Sequence, residues 1–238
     1  MFYEYAFILP AYNEQKYTRN VINNIKKNIK KFSLHACIVF IDDGSKDQTY
    51  QIAKDTGVDF LVKKKNEGKG SATKVGFKQV EANFYIIHDV DLEYDTEELC
   101  SFISDEKLEY NIIYYGSRVL GAIKNKTNIL GNFGVHKNQK ILNVFFNHFL
   151  GLLYKIKFNY YISDSLTAIK IYPNKLIKNI KINTFGFETD HEISCIILKN
   201  NYNIKEFPIS YFPRSISEGK KIKLIDAFTA VKTIFRND

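Results

Sequence analysis

The chain has 238 residues, 45% of them hydrophobic, with 34 Lys and Arg against 26 Asp and Glu, giving a formal net charge of +8. That length buries a substantial core, and the balance excludes a disordered or fibrous chain. No apolar run approaches the roughly 18 residues of a membrane span, and MFYEYAFILP lacks a basic stretch followed by a cleavable apolar one, so a cytoplasmic protein is expected. Cys37, Cys100 and Cys195 form no C-x-x-C pair and read as reduced structural thiols.

In chain order, short apolar runs alternate with helix-like stretches through the first half, the pattern of β-α-β units on a mainly parallel sheet. Strands are predicted at residues 5–9, 36–41, 60–62, 84–88 and 111–115, and helices at 15–30, 47–56, 71–82 and 95–104. Right-handed crossovers bring the loops after the strands to one edge, where open α/β sheets bind ligands. Residues 11–14, 42–45 and 89–91 each follow a strand, so three polar segments converge. Residues 116–137, rich in Gly, Asn and Lys, read as a mobile functional loop. A helix at 141–154 carries Asn143, Asn147 and Gly151 on one narrow stripe and a wide apolar face elsewhere. That face either packs on the core or lies in a membrane interface. A helix at 188–199, a strand at 204–209 and an amphipathic helix at 224–235 complete the chain, with no linker to mark a second domain.

Asp89-Val90-Asp91 ends an apolar strand, with Glu93 two residues on. In an extended segment residues two apart project to the same side, so Asp89, Asp91 and Glu93 are expected to offer oxygen ligands to Mg²⁺ or Mn²⁺. Asn66-Glu67-Gly68-Lys69-Gly70 precedes a helix: glycines allow close backbone approach, Lys69 supplies a cation and a helix N-terminus favours anions. A phosphate-bearing ligand is the natural occupant. It is not the P-loop pattern. Asp42-Asp43-Gly44-Ser45, followed by Asp47, offers either a turn with a helix cap or carboxylates for a nucleobase or ribose.

The succession LPAYNE, DDGS, NEGKGSA and DVDLEY resembles the nucleotide-binding half of family 2 glycosyltransferases with the GT-A fold. DSLTAIK, FGFETDHEI and PISYFPRSISEGKKI resemble the branch of dolichyl- or polyprenyl-phosphate mannose and glucose synthases. The resemblance implies one α/β domain over 1–238, with a nucleotide-sugar-binding half to residue 116 and an acceptor-side half from 117. It implies Pro10, Tyr12, Glu14 and Asp43 around base and ribose, Lys69 near the phosphates, and Asp91 with Asp89 and Glu93 around a divalent metal. Arg118, Arg214 and Lys220 match positions contacting acceptor or donor phosphate. Asp164, Thr167 and Lys170 match a D-x-x-T-x-x-K pattern on the acceptor side, and Glu188 and Asp190 stand where relatives carry acidic residues. Ala168 and Ile169 replace the Gly, Cys or aromatic residues of many relatives, and basic residues near the apolar helix appear as His136 and Lys137.

The implied activity is inverting, metal-dependent transfer of glucose or mannose from a UDP- or GDP-sugar to polyprenyl phosphate. The divalent ion at Asp91, with Lys69 and Arg214, would neutralise the departing diphosphate. A lipid phosphate needs positioning, by Arg118, more than a base. An alcohol or glycan acceptor would call on Asp164, Glu188 or Asp190 as base. Resemblance and positive charge together favour the interfacial reading of helix 141–154 and a peripheral location at the inner membrane face. A nucleic-acid-binding role competes, but no helix-turn-helix, zinc or RNA-recognition signature is present and the basic residues are dispersed.

Overall fold

A computed structural model describes residues 2–129, 137–214 and 224–236. Its strands are β1 (Phe2–Ala11), β2 (Ala36–Asp42), β3 (Phe60–Lys63), β4 (Glu81–Ile87), β5 (Ile112–Ser117), β6 (Lys170–Pro173) and β7 (Asn203–Pro208). Its helices are α1 (Gln15–Lys31), α2 (Thr49–Thr56), α3 (Lys69–Phe77), α4 (Thr96–Asp105), α5 (Arg118–Lys124), α6 (Lys137–Phe158), α7 (Asn174–Asn179), α8 (Thr189–Lys199) and α9 (Leu224–Phe235).

The strands form one sheet in the order β3-β2-β1-β4-β6-β5-β7, and only β6 runs against its neighbours. Both faces are covered, which is why β1 reads as a near-continuous apolar run. Ala6 and Ile8 face one core with residues of α3, α6, α8 and α9. Tyr5, Phe7 and Leu9 face the other with residues of α1, α2 and α4. In α1 the buried residues Thr18, Val21, Ile22, Ile25 and Asn28 recur at helical spacing. Asp95 caps α4, accepting from the N–H groups of Glu97 and Glu98. This is a mostly parallel α/β sheet with helices on both faces.

Four expectations change. The helix expected to reach residue 82 ends at Phe77, because Glu81 and Ala82 pair with β1 as the start of β4; sheet pairing overrides their helical preference. The stretch expected as a loop from 116 begins instead with the end of β5 and the helix α5, whose start Ser117 caps by accepting from Leu120 N–H. Residues 130–136 of that stretch lie outside the described residues. Strand β6 was not anticipated: four residues beginning with Lys and ending with Pro carry little periodicity, yet all four are buried. In α6 the Asn and Gly stripe is the packed side. Asn147 is buried and donates to Ser163 O at 2.7 Å, and a Cβ on Gly151 would come within 2.5 Å of Ile162 O.

Candidate active site

The parallel strands β1, β2 and β4 end on one edge, and hydrogen bonds knit the segments that follow them. Asn13, at φ 53°, donates its N–H to Ser45 Oγ at 2.9 Å and accepts at Oδ1 from Lys46 N–H at 2.9 Å. Glu14 N–H donates to Thr49 Oγ1 at 2.8 Å. Pro10 is a buried β1 residue opposite Ile41, and Tyr12 follows it half-buried.

Asp43, 3% exposed, organises the glycine-bearing loop. Its Oδ1 accepts from Lys64 Nζ at 2.6 Å and Glu67 N–H at 3.2 Å, and its Oδ2 from Gly68 N–H at 2.8 Å. The loop can approach because of two glycines. Gly44 sits at φ +76° with no room for a Cβ beside Asn66 N, and Gly68 at φ +106° faces Phe185 O. Lys69 then opens α3, and its Nζ lies 2.7 Å from Asp89 Oδ1. Burial alone would lower the Lys69 pKa, but Asp89 and Asp190 hold the ammonium charged and raise it.

After β4 the chain bends rather than extending: Leu92 adopts φ 59°. The three carboxylates take different sets of partners. Asp89 pairs with Lys69. Asp91 Oδ1 accepts from Glu93 N–H at 3.1 Å, and its Oδ2 from Arg214 Nη2 at 3.2 Å. Glu93 Oε1 accepts from Arg214 N–H at 2.7 Å and Oε2 from Tyr211 O–H at 2.5 Å. Burial, with the neighbouring charges of Asp89 and Glu93, pushes the Asp91 carboxyl up to about 8 against the pull of Arg214. Among the described residues no three His, Cys, Asp or Glu side chains are arranged to cage a metal ion. Asp91 and Asp89 remain the rim carboxylates a cation would meet. Asp91 suits one, because burial disfavours its charge until a cation compensates it.

Arg214 joins three segments. Its guanidinium contacts Glu14 Oε2 at 3.1 Å, Asp91 Oδ2 at 3.2 Å and Glu93 Oε1 at 3.4 Å, and lies 4.9 Å above the Tyr17 ring. Burial would lower its pKa; Asp91, Glu14 and Glu93 outweigh that and raise it.

On the acceptor side Arg118 and Asp164 form a closed fork. Nε meets Oδ2 and Nη2 meets Oδ1, both at 2.7 Å, with Arg118 N–H on Oδ2 at 2.9 Å. Glu206 supports the turn before it, accepting from the N–H groups of Ser163 and Asp164. Lys170 is fully buried, donates to Thr167 O, and lies 3.4 Å from Asp190 Oδ2. Desolvation lowers the Lys170 pKa. Burial raises that of Asp190, but Lys170, Lys69 and His191 outweigh it and keep the carboxylate ionised. Thr167 is buried beside this pair. Glu188 turns to its own loop, accepting from Gly186 N–H at 3.0 Å. Lys220 and His136 lie outside the described residues, as does the side chain of Lys137.

The structure thus gathers Glu14, Asp43, Lys69, Asp89, Asp91 and Arg214 along one rim, with Lys170 and Asp190 reaching it through Lys69. Arg118 and Asp164 pair with each other, and the guanidinium lies 5.0 Å from the Tyr211 ring. Sequence reasoning missed Lys64, the partner of Asp43, and Tyr211, the donor to Glu93. Lys64 follows β3 at the same edge, and that position was the available signal; Tyr211 had none.

Comparisons with known proteins fit this geometry. Residues 6–168 match the model of the family described as glycosyl transferase family 2. The UDP-N-acetylglucosamine--dolichyl-phosphate N-acetylglucosaminyltransferase of Methanococcus voltae is 27% identical, over 91% of this chain and 90% of that protein. The low-salt glycan biosynthesis hexosyltransferase Agl6 of Haloferax volcanii is 24% identical, over 88% of this chain and 48% of its own length. Glucosyl-3-phosphoglycerate synthase of Mycobacterium tuberculosis superposes with a TM-score of 0.69 at 12% identity, covering 98% of this chain and 78% of that one. The same enzyme has been crystallised with Mn²⁺, UDP-glucose and phosphoglyceric acid, and that form superposes with a TM-score of 0.63 at 12% identity, over 99% and 81% of the two chains. With its edge of strand-end carboxylates and a glycine-bearing loop, the chain belongs to glycosyl transferase family 2 and is a glycosyltransferase of GT-A fold.

Proposed function

We propose that the protein transfers a hexose or N-acetylhexosamine from a nucleotide sugar to polyprenyl phosphate, with inversion and with a divalent cation. The observation that carries the reading is the pairing of an Asp43-held loop with Lys69 beside Asp89, adjoining Asp91 and Arg214. Cations beside an anion-favouring helix start support a diphosphate as the ligand. The names of the Methanococcus relative and of the solved complex favour a uridine donor, and the former favours a dolichol-type phosphate.

Breaking the sugar–phosphate bond builds negative charge on the departing diphosphate. A divalent cation bound at Asp91 and Asp89 would act as a Lewis acid toward it. Lys69 contributes a fixed ammonium beside Asp89, and Arg214 a guanidinium already on Asp91. Preorganised charges of this kind are worth about two to three powers of ten in rate each.

The acceptor side favours a phosphate over an alcohol. An alcohol needs a base, yet Asp164 is locked by Arg118, Glu188 is engaged by its own turn, and Asp190 is held by Lys170. A phosphate oxygen arrives already ionised and needs none.

The lipid reading also draws on α6. Leu142, Phe145, Phe149, Leu152 and Ile156 are all exposed, between 38% and 74%, at spacings of three and four that align them in one stripe. The helix contains no acidic residue and has Lys155 and Lys157 in its last turn. Among the described residues no helix is long and apolar enough to cross a membrane. An apolar stripe flanked by lysines suits the surface of an anionic bilayer instead.

A thermal-shift panel of UDP- and GDP-sugars, each with and without Mn²⁺, tests the donor. A ligand bound only by the folded state raises its melting temperature, and an equal null response to every donor would sink the reading. Mass spectrometry of products tests the acceptor, since only a lipid phosphate yields a glycosyl phosphate lipid.

A further inference from the structure

We propose that Glu93 is a positioning residue whose task is to carry Arg214 onto Asp91 and Glu14, making the guanidinium the cleft's built-in counter-cation. It goes beyond the assignment of donor and acceptor and draws on that reading only for its turnover arm.

The contacts assign the task. Glu93 is 7% exposed, and both its oxygens are engaged by donors from one segment: Tyr211 O–H on Oε2, Arg214 N–H and Nε on Oε1. Its own backbone carbonyl accepts from Phe212 N–H at 2.7 Å. Neighbouring bonds add to the stitching. Glu98 accepts from Ser210 N–H at 2.6 Å and from Ser210 O–H at 2.9 Å, and Tyr94 bridges to Tyr211. A carboxylate so engaged is an anchor.

What it anchors reaches further. With Nε tied to Glu93, the planar fork directs Nη1 to Glu14 and Nη2 to Asp91, two carboxylates that follow different strands. A lysine could not divide itself in this way. Glu14 and Arg214 are 200 residues apart in sequence; the Tyr17 ring supports the guanidinium from its face, and Glu93 ties both the backbone N–H and Nε of Arg214.

Amide hydrogen exchange at Arg214, read on the protein without substrate, is the first test. Glu93→Gln, isosteric and uncharged, should accelerate it about tenfold, the loss of a charge-assisted hydrogen bond, while Asp91→Asn, which meets only the guanidinium of Arg214 and not its backbone N–H, accelerates it less. Tyr211→Phe, which removes only the Oε2 donor, gives a smaller acceleration and a second route if Glu93→Gln folds poorly. Unchanged exchange in both variants overturns the proposal.

The second test is a cycle in turnover with whichever nucleotide sugar the panel selects. Glu93→Gln and Arg214→Lys should each lower kcat/KM, and the double variant should be no worse than Arg214→Lys within about twofold. Losses that multiply overturn the proposal, because a merely structural Glu93 would act independently of Arg214. A third reading, with Mn²⁺ alone, separates anchor from ligand. An affinity lost in Glu93→Gln and equally lost in the Arg214→Lys background makes Glu93 a cation ligand and overturns the proposal. If no nucleotide sugar is turned over, the proposed function fails while the exchange result still decides this one.

Discussion

Arg118 and Asp164, 46 residues apart in sequence, meet through paired 2.7 Å contacts with the carboxylate wholly buried. A buried ion pair is costly to break from one side, because the remaining charge has no solvent. Asp164→Ala should therefore destabilise the protein by about 3–5 kcal/mol, read by urea denaturation. Replacing both partners with Met and Leu should recover most of that loss. An Asp164→Ala protein of unchanged stability would show that the pair is not closed in solution.

Gly70→Ala should be among the most damaging single methyl additions. A Cβ there would lie 1.8 Å from Thr189 Oγ1 and 2.8 Å from Gly186 O, so α3 and the start of α8 cannot both keep their places. A loss of about 1–3 kcal/mol is expected for such overpacking, with weaker donor binding because Lys69 moves with the helix. Thermal melting with and without donor measures both effects.

Asp43→Asn keeps the shape of the side chain but turns one acceptor oxygen into a donor. Facing Lys64 and the N–H groups of Glu67 and Gly68, it should cost about 1.5–3 kcal/mol and raise the donor KM more than it lowers kcat. Steady-state kinetics with donor varied distinguishes this from a loss confined to kcat.

His191 supplies a pH signature. Burial, with the charge of Lys170, depresses its pKa from 6.5 to about 4, and Nδ1 lies 2.9 Å from Tyr154 Oη. Its contribution to stability is full above pH 6.5 and is lost as pH falls toward 4, because the unfolded chain takes up the proton first. The loss amounts to about 3 kcal/mol. His191→Gln does not titrate, so the advantage of the parent over this variant should shrink between pH 7 and pH 4.5. Denaturation at several pH values reads the difference, and a constant gap would refute the assignment.

Phe145→Glu with Ile156→Glu removes two of the most exposed members of the α6 stripe. Each forfeits about 1.5–3 kcal/mol of apolar burial in a bilayer surface, so flotation with anionic liposomes at low salt should fall by about tenfold or more. The donor thermal shift should not change. Parent protein that never floats would remove the membrane contact from the proposed function.

Much of this site could be read from sequence because parallel strands are short, apolar and followed at once by their polar loops. Asp43 and Asp91 stand at such junctions, and Lys69 is marked by the glycines before a helix start. What could not be read was which carboxylate faces which cation. The bend at Leu92 sends Glu93 toward Tyr211 and Arg214, a choice made by chain some 120 residues later. Strand β6 was invisible for a related reason: its burial comes from being inserted between β4 and β5, not from any pattern of its own. The polar stripe of α6 misled in the opposite sense, since Asn147 packs inward by satisfying Ser163 O.

Because β6 is the one reversed strand, its first residue, Lys170, stands level with Ile87 and Tyr115, and its last, Pro173, with Phe84 at the far edge. The chain therefore leaves the cleft at 170 and returns near 184–185, where Phe185 O lies against Gly68 and accepts from Ser71 N–H. Residues 174–179 form a natural crossover point for recombinants between relatives: a join there would exchange the 184–190 contribution while inheriting the 164–170 contribution intact. Shuffled proteins cut at that seam would let the two parts of the second half be traded one at a time, a handle on acceptor preference that no cut within residues 164–170 offers.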